Sequence, residues 1–144
     1  MSIRSWSLGV VTLALTGAAL AQQYGPGWTP NEWKDVSTLK LCTTSPGESE
    51  HCFPVWLVVL DGDVYVRLGT RAAERMQKNA TGPHLPVEVN GRRFENVSAT
   101  AAPDYVERVA KAMADKYTSD IFVHFFSHPL TMRLRLEAPP NEVR

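Results

Sequence analysis

FPVWLVVLDGDVYVRLGTRAAERMQK, residues 53–78, is the stretch on which the fold turns. It opens with a strand, 53–60, that is apolar on both alternating faces: Val55, Leu57 and Val59 point one way, Trp56, Val58 and Leu60 the other. Such a strand is expected to be central and covered on two sides. Asp61-Gly62-Asp63 contains the Asp-Gly pair that reverses a hairpin. The return strand, 64–68, puts Val64, Val66 and Leu68 on one side and Tyr65 and Arg67 on the other. Gly69 and Thr70 end it, and 71–79 has the composition of a short helix with Ala72, Ala73 and Met76 inward. Thr70 is the expected N-cap, although Ala73 stands where a capping box would have glutamate. This order sets Arg67 and Arg71 beside the unpaired N–H groups of a helix start, a place for an anion.

Upstream, residues 1–21 carry Arg4, an apolar run from Leu8 to Leu20, and Ala19-Leu20-Ala21 before Gln22. That is the three-part build of a secretory signal peptide, and the run is short for a bilayer span. Arg4 stands alone, so no twin-arginine route is signalled. An exported protein, periplasmic or secreted, with no transmembrane segment after signal removal is expected. Residues 22–52 are polar and turn-rich, broken by Gly25-Pro26-Gly27 and Thr29-Pro30. Asn31 is placed to cap a short turn holding Trp33. Trp28 and Trp33 most simply lie over the domain surface and cover an apolar patch, with a ligand-facing role as the alternative. Cys42 and Cys52, the only cysteines, bracket TTSPGESEH. In an exported chain they favour a disulfide over two free thiols, worth roughly 2–3 kcal/mol by loop closure. The wide spacing is not that of a catalytic Cys-X-X-Cys pair, so the bridge reads as a staple.

Downstream, 85–89 alternates as a strand, Asn90-Gly91 is a strong turn signal, and 92–99 is its partner. Pro103 suits the first turn of a second helix in which Val106, Val109, Ala110, Met113, Ala114 and Tyr117 recur at helical spacing. The dense apolar run 121–126 fits either helix or strand. Residues 131–136 alternate, with Met132, Leu134 and Leu136 inward and Arg133 and Arg135 outward. Five or six short strands and two helices in one chain of this length make an α+β domain, a small barrel decorated by helices.

Charge narrows the partners. Lysine plus arginine and aspartate plus glutamate each total 15. Losing Arg4 with the signal leaves about −1, which excludes a general nucleic-acid binder.

VWLVVLDGDVYVRLG, a helix, two strands joined at Asn90-Gly91, a helix ending in Asp115-Lys116-Tyr117, and a last strand TMRLRLEAP together resemble a small bacterial family. That family is placed among the flavin-binding split barrels, with the pyridoxamine-phosphate oxidases and deazaflavin-dependent nitroreductases. The similarity covers 53–139, and its most specific parts are VYVR at 64–67 and the Lys116-Tyr117 pair. It implies a small split β-barrel of about six mostly antiparallel strands with two flanking helices. With the signal peptide and turn-rich segment read above, the chain divides into a signal peptide 1–21, a turn-rich segment 22–52, the barrel 53–139 and a tail 140–144. The resemblance also implies a flavin (FMN) or deazaflavin bound between two subunits, its phosphate near Arg67, Thr70 and Arg71, with Arg75 and Lys78 as outer residues. The larger group carries a run of hydroxyl and lysine side chains after that strand, where this chain has Gly69-Thr70-Arg71-Ala72.

Each site has a plain alternative. Arg71 and Arg75 fit a solvated helix face with Glu74 beside them, and Arg67 fits a strand arginine paired with Glu88 or Glu95. His51, His84, His124 and His128 form no tight cluster; the last two, about 13 Å apart on a strand, share one ion only on a helix. No metal site is expected, and His124 or His128 would be the ligand if the barrel held haem, as some split barrels do. No G-x-S-x-G elbow marks a hydrolase. Asn79 and Asn96 begin Asn-X-Ser/Thr patterns, which matter only where secreted proteins are glycosylated. Two functions remain: a cofactor-free binding or interaction protein of the cell envelope, and a flavin- or deazaflavin-dependent oxidoreductase. General export and the missing phosphate run favour the first. A homodimer and a small anionic ligand are expected.

Overall fold

The computed structural model describes residues 27–117 and 130–137. Residues 1–21, expected to be a signal peptide, the run 121–126, His124, His128 and the tail 140–144 lie outside the described residues. Six strands are present: β1 (Thr38–Thr43), β2 (His51–Leu60), β3 (Asp63–Leu68), β4 (His84–Val89), β5 (Arg92–Ala101) and β6 (Leu130–Leu136). They close a barrel in the order β1-β2-β3-β6-β5-β4, each neighbouring pair antiparallel. Two helices accompany it, α1 (Thr70–Gln77) and α2 (Val106–Lys116), so the α+β small-barrel class is the one observed.

The hairpin turns have a local cause. Asp61 and Gly62 adopt φ of 52° and 78°, and Asn90 and Gly91 adopt 50° and 76°. Two successive positive φ values match the twist of antiparallel strands, and Asp-Gly and Asn-Gly are the pairs that tolerate them best. Between β4 and β5 the register shifts at Leu85/Val87, around Pro86, which has no N–H to give the ladder.

The barrel begins earlier than the 53–139 boundary. β1 lies in the segment 22–52 that reads as turn-rich, and it pairs with both β2 and β4. Its inward set, Leu39, Leu41 and Thr43, is short and ends in a hydroxyl, a weak signal for a strand. Cys42 and Cys52 are directly opposed in the β1–β2 register and form the disulfide, which therefore crosses two strands besides closing a loop.

Because neighbours alternate in direction, β1 and β3 run the same way. A 3-10 turn, Pro30–Trp33, precedes β1 at one end of the barrel, and α1 follows β3 at the other. Each closes its end. Trp33, 3% exposed, enters the core with Trp28 and Phe94, whose rings meet Trp28 edge-on at about 5 Å. Trp33 is thus a core plug and not a surface cover. The residue before its turn is Thr29, not Asn31, and the Thr29 hydroxyl donates to Glu32 at 2.9 Å. At the far end, Ala73 and Met76 of α1 join the same core as Leu41, Val66, Val87 and Leu134. Gly69, extended at φ −71° and ψ 174°, takes the N-cap position expected of Thr70, which is already helical. No side chain caps α1; the Ala73 N–H donates to the Gly69 carbonyl at 2.9 Å.

The second apolar face of β2 and β3 is covered by α2. Val58 and Tyr65 pack with Val109 and Met113, and Trp56, Leu60, Tyr105 and Tyr117 surround them. The chain's own helix covers that face. Val106, expected inward, is 47% exposed. A 3-10 turn, Pro103–Tyr105, precedes α2, and Tyr105 occupies the start of the interface by stacking on Tyr65 at 4.7 Å.

Candidate functional site

The residues expected at an anion lie along one path. Arg67 is half-buried on β3, Thr70 opens α1, and Arg71, Arg75 and Lys78 follow at helical spacing on the side away from Ala73 and Met76. Thr70, Arg71 and Lys78 are exposed, and Arg75 is half-buried. Glu88 and Glu95 meet Arg93, whose guanidinium lies 4.0 Å from one and 2.7 Å from the other.

The Lys116-Tyr117 pair has a different setting. The last β1–β2 pair is Thr38↔Trp56, so Leu57 is the first β2 residue without a partner on β1. Its N–H donates to the Tyr117 hydroxyl at 3.2 Å, and that hydroxyl lies 2.7 Å from the carbonyls of both Ser37 and Leu57. Lys116 Nζ donates to the Leu57 carbonyl at 3.0 Å and to that of Val36 at 2.6 Å. Two side chains thus continue the ladder where a strand stops, which satisfies main-chain groups that burial would otherwise leave unpaired. Burial pushes the Lys116 ammonium below the ordinary lysine range, with Asp35 opposing the shift. Burial also raises the Tyr117 phenol, against the opposing Leu57 main-chain bond. Trp56 stacks on Tyr117 at 4.4 Å and 5°. The pair fastens the end of α2 to the barrel, and its polar atoms already have partners.

At the start of α2 a second cluster forms. Tyr65, 0% exposed, lies under Tyr105, and the Arg133 guanidinium sits about 5 Å from both rings and donates to the Tyr65 hydroxyl at 3.0 Å. Arg108 and Tyr105 both donate to Asp61, and together they hold its carboxyl below the usual range. Asp63 accepts two bonds from Arg135, at 2.9 and 2.6 Å. These contacts join α2, β3, β6 and the β2–β3 turn. The alternation 131–136 shows two outward arginines, but their partners are far off in sequence.

Described residues form grooves at the β1–β4 seam and beside α2. One, about 370 Å³, lies at the β1–β4 seam and is lined by Thr38, Lys40, Glu88, Asn90, Arg92 and Arg93 among others. The other, about 350 Å³, is lined by Lys34, Val58, Val59, Ala112, Asp115 and Lys116. Neither includes Arg67, Thr70, Arg71, Arg75 or Lys78. The seam groove was hidden in the sequence because β1 supplies one of its walls.

Among the described residues, Cys42, Glu50 and Cys52 form a grouping of metal-ligand types, but the two sulfurs are bonded to each other and offer no thiolate. His84 lies 2.6 Å from Glu137. Asn79 is 7% exposed; its amide donates to Thr81, Gly82 and His84 and accepts from the Thr44 N–H, so a glycan there would have to break this knot. Among the described residues no helix is long and apolar enough to cross a membrane. No protein-family model matches the chain, and the curated proteins contain no match to it. The fold itself, a six-stranded antiparallel barrel, is compatible with a split barrel.

Proposed function

We propose that the chain is an exported, cofactor-free binding protein of the cell envelope that takes a small anionic ligand. The observation that carries the first part is the cover on β3. A flavin with its phosphate at Arg67, Thr70 and Arg71 and its ring along the outer face of that strand would meet Tyr65, 0% exposed beneath Tyr105 and Arg133. The barrel interior is likewise filled with apolar side chains. We read the residues as a poor fit to the group. The seam groove supports the second part: Lys40 and Arg92 line it beside Glu88 and the main chain of the Asn90-Gly91 turn, while Arg93 on the same lining is committed to Glu50 and Glu95.

The rival reading, a flavin- or deazaflavin-dependent oxidoreductase, draws on the split-barrel likeness and on the approach of β3 to the first turn of α1. Titration of the purified chain with FMN, a deazaflavin and haem separates the two. Neither absorbance nor melting temperature is expected to move, whereas a yellow preparation or a rise of several degrees would establish the rival. Nitrogen-15 NMR with inorganic phosphate and with a dicarboxylate then locates the anion. Shifts are expected at Lys40, Asn90 and Gly91. Shifts at Thr70 and Arg71 would move the site to α1, and none with either anion would defeat the anion reading.

A further inference from the structure

The two sulfurs of the disulfide differ in exposure and in their nearest charged neighbour. Cys42 on β1 is 1% exposed, whereas Cys52 on β2 is half-buried. Arg93 reaches over from β5 and brings Nη1 to 3.8 Å from Cys42 Sγ. The same guanidinium anchors the Glu50 carboxylate with bonds of 2.8 and 2.7 Å, and Glu50 Oε1 lies 3.6 Å from Cys52 Sγ. A cation beside a sulfur stabilises negative charge on it, and a carboxylate opposes such charge. In thiol–disulfide exchange the charge collects on the leaving sulfur, and the attacked sulfur must be reachable. Arg93 thus favours release at Cys42 and access favours attack at Cys52, whereas Glu50, bonded to Arg93 and within 4.8 Å of both sulfurs, opposes charge near either.

We propose that Cys42–Cys52 is a directional thiol–disulfide exchange site for a dithiol, attacked at Cys52 and released at Cys42. The thiolate of the dithiol donates a lone pair to Cys52 Sγ, and the pair from the old S–S bond leaves on Cys42 Sγ beside Arg93. The product is a mixed disulfide on Cys52. The second thiol of the reductant loses its proton to solvent and attacks its own partner sulfur, forming the reductant's disulfide and expelling Cys52 as a thiolate. Cys52 then takes up a proton, and its S–H faces Glu50. The protein gains two electrons and the dithiol loses two. The nine-residue spacing between the cysteines makes the pair a substrate of exchange and not its catalyst.

The test traps the intermediate on the intact, oxidised protein. It is mixed with a thioredoxin-type probe whose active site reads Cys-X-X-Ser, quenched in acid and alkylated, and the linked peptide is identified by mass spectrometry. The probe is expected on Cys52 with Cys42 alkylated; equal or greater attachment to Cys42 overturns the direction. Reduction by dithiothreitol is expected to slow about tenfold in Arg93→Gln, to hold its rate in Arg93→Lys, and not to slow in Glu50→Gln. Equal rates in all four proteins would remove Arg93 from the proposal. Because trapping uses the unaltered chain, its outcome stands even if Arg93→Gln fails to fold.

Discussion

Tyr117→Phe removes one oxygen from the place where the β1–β2 ladder stops. The Leu57 N–H, on a residue 0% exposed, then loses its acceptor, while the Leu57 carbonyl keeps Lys116 at 3.0 Å. The ring and its stack on Trp56 remain, so packing is unchanged and the cost is that of one buried donor, about 2 kcal/mol. For a domain of this size each kcal/mol moves the melting temperature by roughly 4 °C, which sets the expected fall at about 8 °C. Tyr105→Phe is the control, because it deletes the same atom where the hydroxyl donates to Asp61 on the exposed side. It is expected to melt within about 2 °C of wild type. Thermal melts followed by circular dichroism measure both. If the two variants fall equally, or Tyr117→Phe falls by less than about 2 °C, the side-chain continuation of the ladder does not contribute as argued.

Acid should weaken the barrel in part through Asp63. Its bonds from Arg135 hold the carboxyl below the usual range, with burial opposing. The unfolded chain therefore takes the proton first, so the stabilisation is whole above the unfolded value of about 4 and is lost as pH falls through the lower folded value. Urea melts from pH 7 down to pH 2 are expected to show Asp63→Asn less stable at neutrality with a shallower decline below pH 4; an unchanged decline refutes the assignment. On α2, Met113→Ala, at a side chain 1% exposed, is expected to cost about 2–4 kcal/mol. Val106→Ser, at 47% exposed, should stay within about 0.5 kcal/mol, and urea midpoints in the reverse order would overturn the orientation of the helix.

Residues 53–78 were legible because most local preferences in them agree, namely two-faced alternation, an Asp-Gly turn and an amphipathic helix, whereas the N-cap fell one residue early, at Gly69, and Tyr65 made the return strand buried on both faces. β1 was not legible, because its core set is only Leu39, Leu41 and Thr43 and its identity as a strand comes from pairing with β2 and β4. Val106 misled for a related reason. Helical spacing predicts which residues share a face, but the 3-10 turn before α2 and the Tyr105–Tyr65 stack decide where that face starts. The anion residues were readable as positions, Arg67 through Lys78 along β3 and α1. The seam groove was not, since its walls come from residues far apart in the chain.

The ring of strands consists of two three-stranded meanders, β1-β2-β3 and β4-β5-β6, each joined to the other twice. One junction, between β3 and β6, runs through five register pairs, whereas the other, between β1 and β4, has three. A hoop with unequal clasps comes apart at the smaller, so the sheet has an intrinsic weak side. The Cys42–Cys52 bond sits on the strand that borders it and ties β1 to β2, so that a parted seam swings a tethered flap and not a loose strand.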